Sequence, residues 1–275
     1  MDRNELEYLM GVLRAAEASV RVLRHLIWPA SVRARFFAEG ERELPKVTYP
    51  PFDPGPACER TAQVRAALAG REAEPVARWL ARQASSIEAG ARMLAAAGTP
   101  EFLTHSRALY GAPGDPLPDE ATTPLACARQ FAELMDAMAD VDLGAPPPAC
   151  HLAEDLAASM RAAIEPLFGE QAPNVIVVDE LSANALAGPE NIRIRRNARF
   201  TDRDVGQLIQ HEAFVHVLTS LNGRAQTDLP VLAANEPGTT RTQEGLAVFA
   251  ELITGTMDLD RLRRLVDRVL AIQMA

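Results

Sequence analysis

Apolar residues recur at helical spacing through most of the chain. Between residues 4 and 27 they stand at Leu6, Leu9, Met10, Leu13, Val20, Leu23 and Ile27, which predicts a helix that Pro29 ends. Residues 44–57 are rich in proline and read as an extended loop. The segment 59–97 carries two helical patterns with a break near Gly70 or Pro75, and the turn formers from Gly111 to Pro118 mark another loop. Further helices are expected over Leu125–Met138 and, beyond the Gly144–Pro148 stretch, over about residues 150–167. Near Pro173 the pattern changes. Val175–Val178 is a continuous apolar run, read as a buried strand. Asn191–Arg196 alternates, with Ile192 and Ile194 on one face and Arg193 and Arg195 on the other, and reads as a half-exposed strand; its position directly before the next helix suggests a sheet edge. The predicted fold class is therefore α+β and mainly helical. A helical part spans 1–168, a small sheet with its own helices spans 169–275, and both are compatible with one globular unit.

The stretch Asp202–Leu221 is the irregular one. Val205, Leu208 and Ile209 mark one apolar stripe, but Phe214, Val217, Leu218 and Leu221 fall nearly opposite on a uniform helix. His211 and His216 share the problem. Residues five apart on an α-helix lie about 140° from each other, whereas residues four apart lie only about 40° apart. One extra, bulged residue brings the imidazoles back to about 40° and narrows the mismatch between the stripes to about 75°. A π-type bulge or kink within 211–216 is expected, and such bulges favour functional sites. Thr201 with Asp204 forms a capping box for this helix, and Asn222-Gly223 reads as its stop.

The bulge matters because of what it carries. His211-Glu212-Ala213-Phe214-Val215-His216 brackets a glutamate between two of the chain's five histidines. Thr240 and Gln243 form a second capping box, which places Glu244 in the first turn of a following helix, facing the histidine pair. Two imidazoles, one carboxylate and a spare carboxylate are what a catalytic zinc needs. Position then assigns His211, His216 and Glu244 as ligands and Glu212 as general base on a bound water. Glu251, seven residues after Glu244 on the same helix face, is a candidate acceptor for a ligand histidine N–H. A His-Glu-x-x-x-His string also arises by chance in roughly one chain per hundred of this length, so the hexapeptide alone does not separate a metal site from an amphipathic helix with two partly buried histidines. His25, His105 and His151 have no spaced ligand partner and read as ordinary core or surface residues.

The strings His211–His216, Leu221–Gln226 and Thr242-Gln243-Glu244-Gly245-Leu246-Ala247 closely resemble the flavohemoglobin expression-modulating QEGLA-motif protein family, a relative of the microtubule-associated tyrosine carboxypeptidases. Leu26–Pro29, Leu44-Pro45 with Tyr49, and Leu109-Tyr110-Gly111 are similar to its recurring elements, so the resemblance covers most of the chain. Dipeptidyl peptidase III is similar in the histidine spacing alone. The resemblance implies a zinc-peptidase-like catalytic part over 169–275, with His211, His216 and Glu244 binding Zn2+ and Glu212 catalytic. Members of the family continue beyond the equivalent of Ala275, so either a catalytic part cut short or a compact variant is expected here. Removal of a C-terminal residue from a peptide or protein tail is the activity it implies. For such a reaction, an arginine of the 191–196 strand, Arg193 or Arg195, could grip the terminal carboxylate, and Asn222 and Gln226 could supply polar contacts. The bland alternative is that these arginines solvate an exposed face or pair with nearby acids.

Composition adds limits. At 275 residues and 48% hydrophobic, the chain can bury one large core or two smaller ones. A net charge of −9 argues against nucleic acid as a general partner. The first residues lack a basic segment followed by an apolar one, and no run is long enough to span a bilayer, so a cytoplasmic protein without membrane attachment is expected. Cys58, Cys127 and Cys150 are odd in number and widely spaced, which favours reduced thiols. Two further function classes stay open: a zinc-binding regulatory or interaction protein without peptidase activity, and a metal-free helical interaction protein.

Overall fold

The computed structural model describes residues 1–118, 121–141, 147–181, 183–188, 190–233 and 237–274. Part of the predicted 144–148 linker thus lies outside the described residues. The fold is mainly helical with one three-stranded sheet, the α+β class expected from the pattern. The chain divides into two compact units, residues 1–110 with 223–241, and residues 111–222 with 242–275. This division cuts the chain elsewhere than at residue 168, because helices of the 111–168 stretch pack with the sheet and the last helix.

The first unit is built on α1 (Arg3–Glu17), α2 (Val22–Leu26), α3 (Ala30–Ala38), α4 (Gly55–Leu68), α5 (Pro75–Ala95) and α6 (Glu101–Tyr110). The single helix expected over 4–27 is interrupted. Ser19 Oγ donates to the Ala16 carbonyl and Val20 N–H to that of Glu17, closing α1 in a turn that directs Val20 into the core. The core joins Leu9, Met10 and Leu13 of α1 to Val64 and Leu68 of α4 and to Leu80, Ala84, Ile87, Ala91 and Leu94 of α5. The last five recur at steps of four, three, four and three, the stripe of a regular amphipathic helix. The break between α4 and α5 falls in the expected Gly70–Pro75 interval.

In the second unit, α7 (Pro124–Ala137) and α8 (Ala153–Phe168) precede strands β1 (Asn174–Val178), β2 (Ala185–Ala187) and β3 (Asn191–Arg195). The strand order is β1-β3-β2, with β1 parallel and β2 antiparallel to β3. Two expectations change here. The strand at 191–195 is central, with both of its backbone edges paired, and β1 and the short β2 form the edges instead. The run at 175–178 is only partly buried: Val175 faces inward while Ile176 is exposed. The alternation of β3 is as expected, Ile192 and Ile194 lying fully buried and Arg193 exposed. Leu156, Met160 and Ile164 of α8 join Ile192, Ile194 and Phe200 in a second core.

The helix after the sheet has three parts. α9 (Asp202–Leu208) runs into a π-helix, Ile209–Val217, which continues as α10 (Leu218–Ala225). The capping box at Thr201 and Asp204 starts it as expected. The stop at Asn222-Gly223 is not there, since α10 passes through both residues. Gly223 serves a different end: a Cβ on it would collide with the backbone at Leu232, so only glycine lets these two segments approach. α11 (Pro237–Ile253) begins three residues before Thr240, so Glu244 stands in its second turn rather than its first. α12 (Leu259–Met274) closes the described chain and packs on α7.

Candidate metal centre

The π-helix is what makes the site. Hydrogen bonding from i to i+5 widens each turn, so residues five apart come onto one side. The rings of His211 and His216 accordingly stand with centroids 4.9 Å apart and planes at 77°. The irregularity is longer than the single bulge expected, occupying nine residues instead of one turn. Its other side packs into the second core through Ala213 and Val217, while Phe214 meets Phe168 edge-on at 6.1 Å. Packing on one side therefore holds the register that pairs the histidines on the other.

Glu244 of α11 faces that pair. Its Oε2 lies 3.6 Å from His211 Nε2 and its Oε1 lies 3.7 Å from His216 Nε2. One nitrogen or oxygen from each of the three residues falls within 4.8 Å of the others, and they are the one such His/Cys/Asp/Glu cluster among the described residues. The His–Glu separations are too long for good hydrogen bonds. Ligand atoms about 2.0–2.1 Å from a tetrahedral zinc would stand about 3.3–3.4 Å apart, a few tenths of an ångström less than the two His–Glu separations. Histidine nitrogens with one carboxylate are also the donor chemistry that zinc accepts, with room left for a further ligand. His211 is largely buried, at 11% side-chain exposure, while Glu244 at 57% is open to solvent. The centre is thus anchored inside and accessible from outside.

Behind His211, His216 and Glu244 lies a buried polar cluster. His211 Nδ1 is 2.7 Å from Glu251 Oε1, which also accepts from Gln207 Nε2 at 3.1 Å. Arg261 of α12 closes on the same carboxylate, with Nε donating to Oε2 at 2.7 Å and a terminal nitrogen donating to Oε1 at 2.8 Å. Glu251 is fully enclosed. Burial works against its charge, but His211 and Arg261 outweigh it and bring its pKa down to about 2. Burial likewise opposes a charge on His211, yet the carboxylates of Glu244 and Glu251 raise its pKa to about 9. The contact with His211 in turn lowers the pKa of Glu244. Without a metal the site is a set of mutually stabilised charges; a cation would displace the proton.

Glu212 points towards the sheet. Its side chain is buried and its Oε2 accepts the Ala187 N–H at 2.8 Å, which ties the carboxylate to the end of β2. It remains near enough to His211 to help hold that residue's proton. His216 Nδ1 stands 3.5 Å from Gln243 Oε1.

The remaining sequence candidates separate. Arg193 is exposed and lines a cavity with Leu186, Ala187, Gly188, Glu190 and Asn191, adjoining the residue that holds Glu212. Arg195 donates to Asn184 Oδ1, and Arg196 pairs with Asp179 and Glu154, the structural use that the bland reading gave such arginines. Asn222 and Gln226 are exposed, and Gln226 belongs to the other compact unit. Sequence reasoning missed Gln207, Arg261 and the Ala187 N–H. Gln207, one helical turn before His211, was findable from spacing; Arg261, beyond a helix end and a turn, carries no local signal.

A family model described as microtubule-associated tyrosine carboxypeptidase matches residues 34–275. No curated protein and no solved structure matches the chain.

Proposed function

The chain belongs to the microtubule-associated tyrosine carboxypeptidase family, and from that premise we propose that it is a zinc-dependent carboxypeptidase. It removes a C-terminal residue from a peptide or protein tail. His211, His216 and Glu244 hold the Zn2+, and Glu212 is the general base. The observation that carries the reading is the convergence of three side chains, from two helices, on one small volume.

Bound zinc supplies Lewis acidity, lowering the pKa of a coordinated water and polarising the scissile carbonyl. The chain's own residues do the rest. Glu212 takes the proton from the attacking water and delivers it to the leaving amine, a role that needs a carboxylate fixed beside the reacting atoms. The Ala187 N–H supplies that fixing by engaging one oxygen. β2 is one of the two edge strands of the sheet and its end adjoins Glu212, so it is the strand along which an extended substrate would align. Arg193, which lines a cavity with Leu186 and Ala187 of that strand, is the arginine proposed to meet the terminal carboxylate. Tyrosine, the residue in the family's name, is the first terminal residue to try.

Metal quantification, together with amino-acid release from a library of peptides with varied C-termini, tests the reading. One zinc per chain is expected, and Glu212→Gln should keep the zinc and lose the release. Less than a tenth of a zinc per chain would sink the metal assignment. Zinc without release, in wild type and variant alike, would favour a regulatory binder.

A further inference from the structure

Four residues meet in the buried cluster, His211, Gln207, Glu251 and Arg261, and Arg261 of α12 is the one from outside the helical stretches 202–225 and 237–253 that carry the motif strings. We propose that Arg261 is a positioning residue of the metal centre: by clamping Glu251 through two hydrogen bonds, it fixes the carboxylate that aims His211 at the metal. This rests on the zinc reading of His211, His216 and Glu244.

The geometry carries the inference in three steps. An ionised carboxylate only accepts hydrogen bonds, so the 2.7 Å contact requires His211 Nδ1 to carry the hydrogen. Nε2 is then the nitrogen directed at Glu244, from which it is 3.6 Å away. The orientation of His211 is therefore only as firm as the orientation of Glu251. A carboxylate on a long side chain turns easily about its last bonds, and one hydrogen bond does not stop it. The planar fork of a guanidinium does, because two parallel hydrogen bonds fix the carboxylate plane. Arg261 makes that pair, one bond to each oxygen. Gln207 adds a third donor on the Oε1 side.

Arg261 is itself well held. It is buried, and its backbone N–H donates to Asp258 Oδ1 at 2.7 Å, at the start of α12. The line of support thus runs from α12 through Glu251 of α11 to the π-helix. It also settles the charge. Glu251 and Arg261 neutralise each other in the interior, which leaves Glu244 as the anionic ligand. The cost of enclosing a carboxylate behind the histidine is offset where the two are in contact.

The test uses the full chain. Zn2+ affinity is measured by competition with a chromophoric chelator for wild type, Arg261→Met, Arg261→Lys, Glu251→Gln and the double variant Glu251→Gln/Arg261→Met. Loss of such a supporting partner typically weakens metal binding about 10–100-fold, and that is the effect expected of Arg261→Met. Lysine keeps the charge but not the fork, so Arg261→Lys should lose several-fold and no more. In the Glu251→Gln background, Arg261→Met should add little, since its partner is already gone. Affinity within twofold of wild type, or effects that multiply independently, would overturn the proposal. Should Arg261→Met fail to fold, Arg261→Lys decides, and wild-type affinity there overturns it.

A second readout needs no metal. The His211 Nδ1–H resonance in 15N-edited spectra of the metal-free protein should be sharp in wild type and broadened or lost in Arg261→Lys. An unchanged signal in that variant counts against the clamp. The two readings fail separately: a wild type that binds no zinc sinks the metal site, whereas a zinc-binding wild type with an indifferent Arg261→Lys sinks only the role of Arg261.

Discussion

Helix α5 and the π-helix 209–217 each bury one face, and they use that face differently. In α5 the regular period commits its stripe to the core, from Leu80 through Leu94. In the π-helix the period is broken. Fewer apolar side chains reach the core, chiefly Ala213 and Val217, and the altered turn brings His211 and His216 to the same side. The first segment converts sequence into stability; the second gives up regular helical hydrogen bonding to gather chemistry. The contrast implies that damage to α5 should be read in unfolding and damage to the π-helix in metal and turnover.

The sharpest separation is expected at Glu212. Replacing it with glutamine keeps size and a hydrogen-bond acceptor for the Ala187 N–H, but removes the carboxylate proposed as the base. Turnover should fall about 10²–10⁴-fold, the usual worth of a general base. Zinc content and thermal midpoint should stay close to wild type. A stability loss as large as the activity loss would mean that Glu212 mainly secures the sheet.

The opposite behaviour is expected in α5. Ile87 is 1% exposed and packed on all sides, so Ile87→Ala should cost about 2–5 kcal/mol through lost transfer energy and a cavity. Urea unfolding measures this. The folded fraction should retain wild-type zinc affinity, and a variant that folds well yet loses zinc would erase the distinction between the two helices. Gly90 is the subtler case. A Cβ there would stand 3.0 Å from Pro237 Cγ and 3.1 Å from Val20 Cγ1. Alanine gains about 1 kcal/mol of helix propensity. Overpacking costs about 1–3 kcal/mol, and the proline ring has little freedom to withdraw. A net loss of up to about 2 kcal/mol is expected from Gly90→Ala, again by urea unfolding.

The same contrast explains what could be read from the sequence. The stripe of α5 is a simple period, so its helix and core face were legible. The π-helix was legible for the opposite reason: two stripes out of phase, and two histidines five apart, required an inserted residue. Glu251 followed because it shares a helix face with Glu244. What failed depended on partners distant in sequence. β3 looked like an edge because it directly precedes the helix of the histidines, but order along the chain does not report which strands lie at the edges of a sheet. The strand that covers it is Ala185-Leu186-Ala187, too short to announce itself. Gly223 carried the signature of a helix stop, while its actual constraint is the approach of the backbone at Leu232. Arg261 meets Glu251 across a helix end, and no periodicity relates them.

The smallest effect asks what sets the register of the π-helix. α9 is only seven residues long and its start depends on the capping box, in which Thr201 Oγ accepts the Asp204 N–H at 3.1 Å and Asp204 Oδ2 accepts the Thr201 N–H at 3.0 Å. Thr201→Ala should cost about 1 kcal/mol, the usual value of a lost N-cap. The buried Ala213 and Val217, and the edge-on Phe168–Phe214 contact, lie downstream of that cap and do not depend on it. If they hold the register, the variant should melt a few degrees lower while its zinc affinity stays within about twofold of wild type, a change of under about 0.5 kcal/mol. A tenfold weaker zinc affinity would mean instead that the histidines are aligned from the start of the helix, with packing only following.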